Sequence, residues 1–134
     1  MTAATYLRKD RGETSIQTVL LVPVILGILV LIVHAAAITH AGQVASLAAS
    51  RGAQLAASSE GTSYEMQMVR QEIQRTINDL GNNLQSTPQI TMYRGTVNVA
   101  VQVSTPRIVP FLPHVISRTA SASMERFIEE QDRL

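Results

Sequence analysis

Residues 11–33 read RGETSIQTVLLVPVILGILVLIV, a basic step followed by an apolar run interrupted by one proline, Pro23. From Thr18 to Ala37 the only polar side chains are Thr18 and His34. About 20 apolar residues in helical form cross a hydrocarbon core of roughly 30 Å. The run therefore predicts a membrane-inserted helix that carries a soluble portion. Arg8, Lys9 and Arg11 precede it, and the next basic residue after it is Arg51. Lysine and arginine near a span mark its cytoplasmic side. The expectation is an N-terminus in the cytoplasm of a cell (inner) membrane and an extracytoplasmic C-terminal domain.

Composition narrows the function. The 134-residue chain has no cysteine, which excludes disulfides and thiolate metal sites. Its net charge of +1 gives no electrostatic case for nucleic acid. Tryptophan is absent and aromatics make up 4% of residues, so a stacking platform for bases or sugars is not expected. His34 and His40 stand six apart, on different faces of a helix, and no carboxylate is near them. With His114 they do not make a metal-ligand set. No catalytic motif or phosphate loop is present. Glu125, Glu129, Glu130 and Asp132 read as a solvated acidic end. The chain is read as a non-enzyme, with no catalytic residue, cofactor, metal or small-molecule substrate.

Further along, the chain divides into a basic leader over 1–12, a helix over 13–58 and an extracytoplasmic region over 59–134. The helix changes character after the apolar run. Thr39, Gln43, Ser46, Ser50 and Gln54 recur at helical spacing as a weakly polar face. Ala41, Ala45, Ala48, Gly52 and Ala56 form a face of small residues, which lets another helix approach closely. The competing reading is that alanine is simply a good helix former. Ser58–Gly61 breaks this helix, and Thr62 or Ser63 can cap a second one over about 63–83, ending near Gly81-Asn82-Asn83. Met66, Val69, Ile73, Ile77, Leu80 and Leu84 give that helix an apolar stripe.

The period then becomes two. Ile90 and Met92 alternate in QITMY, and Val97, Val99, Val101 and Val103 alternate in TVNVAVQVS, the two joined by Arg94–Gly95. A third strand places Ala120, Ala122 and Met124 on one face. The expected fold class is α+β: a long N-terminal transmembrane helix continuing outside the membrane, and a second amphipathic helix laid on a three-stranded antiparallel sheet. Between the last two strands, TPRIVPFLPH carries three prolines and cannot be a central strand. This apolar loop is either a contact surface for another subunit or the membrane interface, or a cover over the open end of a small core.

Three machineries read a basic-then-apolar N-terminus. A signal peptidase would remove it, and Ala35-Ala36-Ala37 is a small-residue site of the required kind. Against removal, the run exceeds the usual 7–15 residues of a signal-peptide core. A translocon would leave it as a plain anchor. A prepilin peptidase would trim only the leader.

The third reading rests on a resemblance. The leader ends in Gly12, an apolar helix follows at once, and Pro23 stands at the eleventh residue after that glycine. From Asp10 to about Ala57 the chain resembles the N-terminus of TadE-like proteins, the pseudopilins or minor pilin-like proteins of tight-adherence (Flp-type) pilus systems. VNVAVQVSTPRIVPFLPHVISRTASASMER resembles the closing pattern of the same family. The resemblance implies cleavage between Gly12 and Glu13 by a prepilin peptidase. It also implies a retained span that packs with other pilin-like subunits or pilus assembly proteins. The family usually carries glutamate at the fifth residue after the glycine. Here that position is Gln17, which cannot pair as a charge with a neighbour's amine. The alternative is an uncleaved single-pass protein whose outer domain binds a partner unrelated to pili.

Overall fold

A computed structural model describes the backbone of residues 10–124 and the side chains of 15–124. The leader before residue 10, and the acidic end with Glu125, Glu129, Glu130 and Asp132, lie outside the described residues. The first helix, α1, runs Asp10–Ala57 and includes Pro23. The second, α2, runs Ser63–Asp79. Four strands follow: β1 Asn83–Leu84, β2 Gln89–Tyr93, β3 Thr96–Ser104 and β4 Val115–Ser123. The fold class is α+β, with a long N-terminal apolar helix, a second helix and a small antiparallel sheet.

The chain forms two compact units, divided between Ala36 and Ala37. The alanine-rich continuation of α1 belongs with the sheet unit because its small residues are consumed in that unit's core. Ala41, Ala45, Ala48, Ala49, Ala53 and Ala56 are buried. Thr39, Gln43, Ser46, Ser50 and Gln54 are exposed, as the polar spacing predicts.

The β3 strand is central. β4 pairs with it antiparallel along its whole length, from Thr96↔Ser123 to Ser104↔Val115. A strand has two edges, so β2 (opposite 96–100) and β1 (opposite 103–104) share the other one. The sheet thus has four strands rather than the expected three. The valine face is its core face: Val97, Val99, Val101 and Val103 are all fully buried. They pack with Val69, Ile73 and Ile77 of α2 and with the small face of α1. Both helices therefore cover one face of the sheet.

Two turns are set by glycines at positive φ. In the β2–β3 hairpin, Arg94 (φ 50°) and Gly95 (φ 78°) are the two central residues, the signs a type I′ turn requires. At the end of α2, Gly81 (φ 76°) closes a Schellman motif. Its N–H donates to the Asn78 carbonyl, and the Asn82 N–H donates to the Ile77 carbonyl.

The helix thus stops at the Gly81-Asn82-Asn83 signal, with Asp79 as its last residue, short of the expected span to about 83. Leu80 and Leu84 continue the apolar spacing in number only. Leu80 is the C-cap and is exposed, while Leu84 reaches the core from β1. Once Gly81 turns the chain out of the helix, Asn83 and Leu84 are free to pair with Ser104 and Val103.

The start of α2 is a capping box. Thr62 Oγ1 accepts the Glu65 N–H, and the Glu65 carboxylate accepts the Thr62 N–H at 3.0 Å. The bond from the Thr62 N–H, with a second that the Thr62 hydroxyl donates to the same carboxylate at 2.9 Å, holds the Glu65 carboxyl below its ordinary value of 4.5. A lowered carboxylate pKa adds stability above the ordinary value and loses it as pH falls through the lowered one. Glu65→Gln should therefore be less stable than the parent at neutral pH, and the gap should close on acidification below 4.5. Thermal unfolding across that pH range checks this. A gap constant with pH would show that the ionised carboxylate is not the stabilising form.

Candidate functional site

Three surfaces stand out: the bare part of α1, its small-residue face and the proline-rich loop. Every large apolar side chain from Ile16 to Val33 is at least 42% exposed. A soluble core helix of this composition would be covered; this one is bare on all sides. Residues 15–36 extend about 33 Å at 1.5 Å per residue, enough for a hydrocarbon core. The helix is long and apolar enough to cross a membrane, and a bilayer supplies the apolar surround that an all-round hydrophobic helix requires. Pro23 lies within it and removes one backbone donor, that to the Val19 carbonyl.

The sequence-derived positions of the leader junction fall at the start of this helix. Asp10–Glu13 form the first turn of α1, so the Gly12–Glu13 bond lies where helix ends fray. Gln17 is exposed on the first apolar turns and brings no charge there.

The small-residue face is closed rather than open. A Cβ on Gly52 would stand 2.5 Å from Cδ1 and 2.8 Å from Cγ1 of Ile73, and 3.5 Å from Val99. The glycine lets α2 approach α1 at this point. Ala41, Ala45, Ala48 and Ala56 are fully buried in the same core. The close helix partner of this face is α2 of the same chain, so the face is not available to a neighbouring subunit. Arg51 and Glu72 add a 3.0 Å ion pair between the two helices. It is largely exposed and worth at most about 1 kcal/mol.

The histidines do separate things. His40 Nε2–H donates to the Leu80 carbonyl at 3.3 Å, tying α1 to the C-terminus of α2. Arg107 donates to His114 Nε2 at 3.1 Å. His34 is buried, and its ring nitrogens have no hydrogen-bond partner among the described residues. No group of three His, Asp or Glu suited to a metal occurs among the described residues.

The loop between β3 and β4 is ordered by its own bonds. At its base, Thr105 N–H and Oγ1–H both donate to the His114 carbonyl, at 2.7 and 3.1 Å. The Ile108 N–H donates to the Pro106 carbonyl, and the Leu112 N–H to the Val109 carbonyl. The second bond closes a β-turn with Pro110 and Phe111 at its centre. Phe111 is 92% exposed, and Ile108 and Leu112 are exposed beside it. The loop does not cover the core. Its tip projects an aromatic ring into solvent. Proline content alone marked the loop; its tip residue is set by the turn.

No family model, curated protein or solved structure matches this chain.

Proposed function

We propose that this chain is a membrane-anchored, pseudopilin-like structural or assembly component of an Flp-type (tight-adherence) pilus or related secretion system. The observation that carries the proposal is the division of α1. The large apolar side chains from Ile16 to Val33 are uncovered, whereas Ala41, Ala45, Ala48, Ala49, Ala53 and Ala56 are buried in the chain's own α+β unit. One helix thus offers a surface only to lipid or to other apolar helices, and its continuation carries a folded unit. The resemblance at Gly12, Pro23 and the closing strand pattern turns a generic anchor into a prepilin-like one. In this reading the N-terminus is cytoplasmic and the α+β unit extracytoplasmic at the inner membrane. A prepilin peptidase trims the leader after Gly12, and other pilin-like subunits or assembly proteins are the partners.

Gln17 favours a second reading, an untrimmed single-pass anchor whose outer unit binds a partner unrelated to pili. An uncharged residue at that position offers no ion pair to a neighbour's new N-terminus.

Gly12→Leu separates the two. In cells that carry a prepilin peptidase, the parent chain should shorten at its N-terminus and the variant should not. Equal migration of parent and variant would favour the untrimmed anchor.

A further inference from the structure

Within the α+β unit, the Pro-rich loop sits at a definite end. On α1, Gly52 lies over Val99, and Gly42 lies over the guanidinium of Arg118, whose strand partner is Val101. Moving along α1 from Gly52 towards Ala37 therefore moves along β3 from Val99 towards Ser104. Ser104 pairs with Val115, and the loop leaves the sheet between them. The tip is thus at the end of the unit where its first residues, Ala37–Gly42, enter.

The chemistry of the tip suits one kind of partner. Ile108, Phe111 and Leu112 are exposed apolar side chains on a loop held by a Thr105–His114 clamp and an internal β-turn. An ordered loop loses little conformational freedom when it docks. Pro106, Pro110 and Pro113 have no N–H, so three backbone donors that would need desolvation are missing. Arg107 stands next to Ile108 in the loop, and residues 105–114 contain no carboxylate. Apolar side chains beside a cation, on a loop that holds no carboxylate of its own, match the interface of an anionic bilayer.

We infer that the loop around Phe111 inserts into the lipid interface, giving the unit a second contact with the bilayer. This rests on the reading of residues 15–36 as a membrane span. The seating depth of such interfacial groups is roughly 5–10 Å. The contact would hold the α+β unit against the membrane surface.

The chain has no tryptophan, so Phe111→Trp places a single reporter at an exposed position. The full-length variant is reconstituted in vesicles of phosphatidylethanolamine and phosphatidylglycerol. The expected result is a blue-shifted emission, quenched by lipids brominated near the carbonyl end of the acyl chain and protected from aqueous acrylamide. Water-like emission, quenched by acrylamide and untouched by brominated lipid, overturns the inference. A blue-shifted emission untouched by either quencher also overturns it, since the ring is then covered by protein such as a second copy. Leu26→Trp, measured separately, reports the span through lipids brominated at the chain ends. Loss of quenching at Trp reporters in both positions removes the span reading and the inference together; loss at 111 alone removes only the inference.

Discussion

Gly52→Leu is expected to lower the unfolding free energy of the α+β unit by about 3 kcal/mol. The cause is local. The first added carbon already meets Ile73 at 2.5 and 2.8 Å, and Ile73 is itself buried between α1, α2 and the valine face. Three further carbons have no space unless α2 withdraws. Gly52→Ala should lose less, because helix propensity returns about 1 kcal/mol against an overpacking cost of about 1–3 kcal/mol. Gly42→Ala provides the contrast. Its Cβ would meet only the Arg118 guanidinium, at 3.4 Å, and Arg118 is exposed and can move. There the propensity gain stands, and stability should rise by up to about 1 kcal/mol. Chemical denaturation of the solubilised full chain reads all three. A stabilised Gly52→Ala would show that α2 does not pack on this face.

The second large effect concerns the apolar segment. Leu26→Arg with Val30→Arg places two guanidinium groups one turn apart near the middle of the bare stretch. Each exchange of an aliphatic side chain for arginine at a span centre costs about 3–4 kcal/mol on insertion scales. Two such changes cost roughly 6–8 kcal/mol, comparable to the favourable sum over the remaining aliphatic residues of residues 19–33. The double variant should leave the carbonate-resistant membrane fraction, while the α+β unit keeps its unfolding midpoint because neither position belongs to its core. Unchanged retention in the membrane would mean that something other than this segment holds the protein there.

Much of the architecture was legible because its periods are clean. Four valines at spacing two, with no competing apolar residue but Ala100 between them, leave β3 one way to face the core. The polar positions from Thr39 to Gln54 marked the exposed side of α1 equally well.

The stop of α2 was legible in Gly81-Asn82-Asn83, but its last residue was not, since Leu80 and Leu84 keep helical spacing across a glycine that has already ended the helix. β1 was missed for the same reason: two residues carry no period, and their pairing with Val103 and Ser104 is a long-range event. Small residues on α1 show that something approaches closely but not what does. A stripe for a neighbouring subunit and a stripe for the chain's own second helix read alike, and only the meeting of Gly52 with Ile73 and Val99 distinguishes them. The loop posed the opposite problem. Its apolar composition suggested a cover for the core, yet the Val109–Leu112 turn points Phe111 outward.

That leaves the fate of the segment from Arg11 to Val33, on which the functional reading turns. The α+β unit cannot report it: the first core residue of that unit is Ala41, so a chain cut at Ala37 would still hold its complete core. Intact-mass and N-terminal peptide analysis of the protein recovered from membranes decides the question. The prepilin-like account predicts a mature chain that begins at Glu13 and retains the apolar helix. A chain beginning at Met1 or Thr2 would contradict the trimming and leave a plain anchor, and one beginning near Ile38 would contradict the membrane span itself.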